Sequence, residues 1–145
     1  MLAIASDHGG FELKEIIKGY LDSINVEYKD YGTLTGDAID YPDIAKIACD
    51  GIISGECERG ILICGTGIGI NISANKIKGI RAAQCSDTFS AKMCRQHNDA
   101  NVLTMGGRII GPELAKEIVH EFLTNKFLGD RHERRVNKII ELDDR

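Results

Sequence analysis

A chain of 145 residues with 43% hydrophobic content is long enough to build one core without disulfide staples and too short for two ordinary domains. Its net charge of -4 and pI near 5.5 argue against nucleic acid as a partner, because readers of a phosphate backbone carry a clustered positive excess. The amino-terminal run Met1 to Asp7 meets an acid at once, and no later apolar run approaches spanning length, so the expectation is a cytoplasmic protein without a membrane partner.

Short apolar runs alternate with amphipathic stretches from end to end, the pattern of βαβ units. Strands are predicted at Leu2–Ala5, Val26–Tyr31, Gly60–Cys64, Arg81–Cys85 and Val102–Met105. After the first, Leu13, Ile16, Ile17, Tyr20, Leu21 and Ile24 recur at helical spacing, with Lys14, Glu15 and Lys18 expected to face water. A second helix should start around Pro42 with Asp40 as cap and Ile44, Ala45, Ile47, Ala48 and Ile52 as its apolar stripe. Another follows Pro112, and Gly129 separates it from a last helical segment, Arg131 to Leu142. The expectation is a single α/β domain, a doubly wound, Rossmann-like five-stranded parallel sheet with helices on both faces. Ligands in such sheets sit beyond the carboxyl ends of the strands.

Four motifs follow predicted strands: Asp7-His8-Gly9-Gly10, Cys64 to Gly69, Ser86-Asp87, and Gly106-Gly107-Arg108. In Gly65-Thr66-Gly67-Ile68-Gly69 the glycines allow backbone N–H groups to converge on an anion or a developing oxyanion. The alternative is a tight turn whose glycines merely relieve crowding. A dinucleotide fingerprint would need glycine where Ile70 stands, and the Gly-Lys-Ser/Thr ending of a P-loop is missing. The five cysteines form no Cys-x-x-Cys pair and read as free thiols. Cys64, at a strand end beside backbone donors, is open to use as a base, as a nucleophile or as a small buried hydrophobe, while Cys49, Cys57, Cys85 and Cys94 are assigned to the core.

His8 and His97 are the candidate proton carriers, both expected near the same sheet edge, with a structural role as the alternative. Arg131 and Arg135 are four apart on one helix and suit a phosphate monoester, or form a solvated basic face. Arg108 is a third candidate for the same anion. No His, Cys and carboxylate set has metal-ligand spacing, so no metal is expected.

Several segments carry a resemblance: Ser6-Asp7-His8-Gly9-Gly10-Phe11, Asp40-Tyr41-Pro42, Ile61 to Gly69, Ala74-Asn75-Lys76, Gly79 to Ala83 and Arg95 to Leu103. Over nearly the whole chain the sequence resembles the ribose-5-phosphate isomerase B family, grouped with the galactose-6-phosphate isomerase subunits. The resemblance implies residues 1–145 as one sugar-phosphate isomerase domain that interconverts D-ribose 5-phosphate and D-ribulose 5-phosphate without metal or organic cofactor. It implies Cys64 as the base between C1 and C2, His97 as the ring-opening acid, and Thr66 as its assistant. Asp7, His8, the Gly65, Thr66, Gly67, Ile68 and Gly69 turn, Asn98, Arg108, Arg131 and Arg135 are implied as the substrate-binding set. Relatives that lack the cysteine use a glutamate six residues later, where this chain has Ile70. The family resemblance also implies homodimers with shared sites, the helix at about 131–142 reaching the partner. A hexose 6-phosphate isomerase and a non-catalytic sugar-phosphate sensor are the alternatives.

Overall fold

The computed structural model describes residues 1–144. Five strands, β1 (Leu2–Ser6), β2 (Tyr28–Asp30), β3 (Arg59–Cys64), β4 (Ala82–Gln84) and β5 (Val102–Gly106), alternate with α1 (Phe11–Ser23), α2 (Tyr41–Ile53), α3 (Ile68–Ala74), α4 (Thr88–Gln96), α5 (Pro112–Thr124) and α6 (Arg131–Glu141). All strand pairs are parallel, in the order β2-β1-β3-β5-β4. The chain leaves β1 toward β2 on one side and returns to β3 on the other, which opens a crevice beyond the carboxyl ends of β1 and β3.

The pleat sorts the central strands into two cores. Leu2, Ile4, Ile61, Ile63, Leu103 and Met105 pack against α1, α4 and α5. Ala3, Ala5, Leu62, Cys64 and Val102 pack against α2 and α3. Each fully buried Ile or Leu contributes about 1.5–3 kcal/mol, so these two layers hold the strand ends, and the loops they carry, in fixed register.

The edge strands are shorter than predicted, three residues each, because each pairs on one side only. The largest departure is in α1. Lys14, expected in water, is fully buried, its ammonium bonding both oxygens of Asp30 at 2.8 Å and the carbonyl of Thr33 at 2.5 Å. Leu13, Ile17 and Leu21 form the buried line, whereas Ile16 and Ile24 are exposed. The helix turns its flank, not its back, toward β2, so Lys14 meets the Asp30 carboxylate there. In α2, Ile47 is likewise exposed, and Asp40 occupies the cap position without a side-chain hydrogen bond.

Candidate active site

Strand β3 ends at Cys64, in register with Gly106 of β5. The chain then turns through Gly65, Thr66 and Gly67 into α3. Gly67 has φ 80, and a Cβ there would lie 2.7 Å from the Met105 carbonyl carbon, so only glycine fits both backbone and space. This turn lays the Gly67 N–H 3.1 Å from Cys64 Sγ, donating to it. Thr66 Oγ1 accepts from Ile68 N–H at 3.2 Å. The thiol is buried, 4% exposed, with a backbone donor aimed at its sulfur.

Asp7, Tyr41, Cys64, Gly65, Thr66, Ile68, Gly69, Ile72 and Arg108 line one cavity of about 440 Å³ at this edge. Asp7 is buried and accepts from Gly10 N–H at 3.1 Å, which fixes its carboxylate at the end of β1. The Arg108 guanidinium lies against Gly65, held there by Arg108 N–H donating to the Gly65 carbonyl at 3.0 Å. Tyr41 covers Gly69 so closely that a Cβ would come within 2.6 Å of its ring. Tyr41 and Ile72 belong to this cavity although sequence reasoning gave them no role. Tyr41 was visible inside Asp40-Tyr41-Pro42, and Ile72 follows Ile68 by one helical turn. His8 is exposed at the end of β1, its Nδ1 accepting from Ile39 N–H at 3.4 Å.

The remaining candidates lie elsewhere. Helix α4 runs back from the end of β4, so His97, its C-cap, arrives at the amino end of β5. That corrects the expectation that His97 shares an edge with His8. Four residue steps of β5, roughly 13 Å, separate that end from Gly106 beside Cys64. His97 stacks on His132 of α6, ring centroids 4.1 Å apart at 12°. Asn98 is exposed and lines a different cavity with Arg81, Ile139 and Leu142. Arg131 and Arg135 are exposed, and neither forms an ion pair among the described residues.

His132 is buried, 7% exposed. Burial lowers its affinity for a proton, and His97, Arg131 and Arg135 lower it further. Among the other cysteines, burial pushes the Cys49 thiol up to about 12, and Cys85, hydrogen-bonded to Cys94 and buried, is pushed up as well. Both suit the inert core role expected of them. Among the described residues no group of three or more His, Cys, Asp or Glu side chains could hold a metal ion, and no helix is long and apolar enough to cross a membrane.

The sequence model of the Ribose/Galactose Isomerase family matches residues 2–139. The chain is 46% identical to ribose-5-phosphate isomerase B of Escherichia coli over 99% of its own length and 97% of that protein's. Its fold is similar to that of Clostridium thermocellum ribose-5-phosphate isomerase B, with a TM-score of 0.97 at 48% identity, over 99% of this chain and 97% of the other. It is also similar to a ribose 5-phosphate isomerase of Thermotoga maritima, with a TM-score of 0.94 at 51% identity and 97% of both chains covered.

Proposed function

Because the chain belongs to the Ribose/Galactose Isomerase family, we infer that it is an aldose–ketose isomerase interconverting D-ribose 5-phosphate and D-ribulose 5-phosphate. The observation that carries the site assignment is Cys64 Sγ, buried at the floor of the cavity with the Gly67 N–H donated to it at 3.1 Å.

The ring opens when His97 gives a proton to O4 as the C1–O4 bond breaks and the C1 hydroxyl gives its proton to water, leaving the aldehyde. Thr66, on the cavity wall, assists this step. Cys64 as thiolate then takes the proton from C2. The electron pair of that C–H bond forms the C1=C2 double bond, and the carbonyl pair moves onto O1. Backbone N–H groups of the turn from Gly65 to Gly69, with Asn98, receive the resulting enediolate, donors placed where charge develops. The O2 hydroxyl proton passes to O1, O2 becomes the carbonyl, the C1=C2 pair takes the thiol's proton at C1, and the ketose is complete. Asp7 binds sugar hydroxyls from the floor of the cavity. Arg108 and His8 meet the phosphate from this chain, and Arg131 with Arg135 supplies the planar donors that suit its oxygens.

One chain does not bring these groups together. We propose a homodimer in which His97, Asn98, Arg131 and Arg135 of one subunit complete the Cys64 cavity of the other. The opposite-edge placement of His97 and Cys64 supports it, as do the two arginines without ion partners among the described residues. The rim of the cavity points the same way, with Ile68 and Ile72 of α3 51% and 55% exposed, an apolar surface suited to cover by a second copy.

The family description also covers galactose, so phosphorylated hexoses are the second substrate class, and turnover on a panel of pentose 5-phosphates and hexose 6-phosphates ranks the two. The base is tested by Cys64→Ala. Isomerisation should fall below detection while ribose 5-phosphate still binds in calorimetry, and full turnover by this variant sinks the assignment.

A further inference from the structure

The stacked imidazoles of His97 and His132 lie outside the Cys64 cavity and have only one member with a role so far. Neither ring nitrogen of His97 bonds to a described group, so no hydrogen bond sets the plane of its ring. The stack does, with centroids 4.1 Å apart and planes within 12°, a close, nearly parallel ring contact. His132 is 7% exposed and cannot itself reach a sugar. Its position is fixed from several directions. Leu128 N–H donates to the Gln96 carbonyl at 3.0 Å, tying the segment before α6 to the residue next to His97. Gly129 and Asp130 then take positive φ, 67 and 54, and the sharp turn brings the first helical turn of α6 over the end of α4. His132 N–H closes that turn onto the Gly129 carbonyl at 3.0 Å.

We propose that His132 is a positioning residue of the ring-opening step, a buried flat platform that holds the imidazole of His97 in the one plane from which its free nitrogen can protonate the sugar ring oxygen. This rests on the reading of His97 as the ring-opening acid. The charged and titratable groups around His132 are His97, Arg131, Arg135 and Asp130. Burial and the neighbouring His97, Arg131 and Arg135 disfavour a proton on His132, so ring contact rather than charge defines the platform. A misaimed acid costs rate rather than affinity, because the proton is transferred only in the transition state.

The test is a double-variant cycle on D-ribose 5-phosphate. His132→Ala is expected to lower kcat roughly tenfold while KM changes by less than about twofold. His132→Phe, which keeps a flat ring and cannot titrate, should return kcat to within about threefold of the parent. Where the alanine variant melts too low to assay, His132→Gln gives the non-aromatic comparison. In a His97→Ala background, adding His132→Ala should change kcat by less than about twofold, since a platform has no effect without the ring it holds. Losses that multiply in the double variant, a loss confined to KM, or a phenylalanine variant as poor as alanine overturns the proposal. Unchanged kcat in His97→Ala overturns the ring-opening reading itself. A crippled His97→Ala beside a fully active His132→Ala overturns the platform alone.

Discussion

Replacing Gly67 with alanine tests whether the turn after β3 is built for the thiol. Gly67 has φ 80, and the added Cβ would meet the Met105 carbonyl carbon at 2.7 Å and Gly106 N at 3.0 Å, both in a strand with neighbours on each side. The left-handed backbone costs about 1–2 kcal/mol for alanine, and forcing a methyl into filled space adds about 1–3 kcal/mol. The sum, about 2–5 kcal/mol, corresponds to a melting temperature lower by about 5–15 °C in a chain of this size. The turn can relieve the clash only by moving its N–H away from Cys64 Sγ, now at 3.1 Å. A hydrogen bond to a charged partner is worth about 1.5–3 kcal/mol, so kcat should fall by roughly ten- to a hundredfold. Gly55→Ala is the control: its φ is 86 but nothing lies within 4 Å of the added Cβ, so it carries the backbone cost alone and should leave kcat intact. Differential scanning calorimetry and steady-state isomerisation read both variants. If Gly67→Ala melts within about 2 °C of the parent, or keeps its full kcat, the turn has no such dual role.

Mixing Cys64→Ala with His97→Ala subunits, each inactive alone, should restore about a quarter of parental activity, since half of the dimers are mixed and each holds one intact shared site; no recovery after confirmed subunit exchange refutes sharing. His97→Ala should lose about a hundredfold or more on D-ribose 5-phosphate. It should keep turnover of D-erythrose 4-phosphate within about twofold, because the hydroxyl that would close that ring is phosphorylated; equal losses on both sugars refute the acid. Burial alone would raise the Asp30 pKa, but hydrogen bonds from Lys14, Lys18 and Gly32 N–H outweigh it and hold the carboxyl below its ordinary range. A depressed folded-state value contributes stability that is present above about pH 4 and lost as pH falls below it through the folded-state value. Urea titrations of Asp30→Asn between about pH 5 and 2 should therefore show a shallower acid loss than the parent, and an identical slope refutes this part for the ion pair.

The α/β alternation, the central strands and the Cys64 turn were legible because each depends on local sequence: apolar runs of strand length, helical spacing and glycines at a strand end. The sheet order was not, because pairing of β3 with both β1 and β5 is set by packing of helices that are distant in sequence. Lys14 escaped for a related reason. Its position at the flank of an apolar line reads as surface, and only the Asp30 carboxylate, sixteen residues on, makes burial tolerable. Tyr41 and His132 escaped because nothing local distinguishes a ring that covers a glycine or a second imidazole from an ordinary surface residue. The edge assigned to His97 was wrong for a topological reason, since the end of a returning helix reaches the edge opposite its own strand's end.

That same topology bears on why, in the proposed dimer, the base and the acid belong to different chains. Any residue on the last turn of a helix between parallel strands sits at the amino edge of the sheet, one strand length from the crevice where ligands bind. Bringing such a residue to the crevice within one chain would require the helix to break early and expose its apolar face, here Ala91 and Cys94 of α4. A second copy supplies the residue at no cost to either core. In the proposed dimer the isolated subunit holds a thiol and an anion cradle but no acid, so the reactive set is complete only where two chains meet and the apolar rim at Ile68 and Ile72 is covered. Water exclusion, phosphate charge neutralisation and ring opening then depend on one association event, and the stacked pair at the α4–α6 junction lies on the side of the chain that would be presented to its partner.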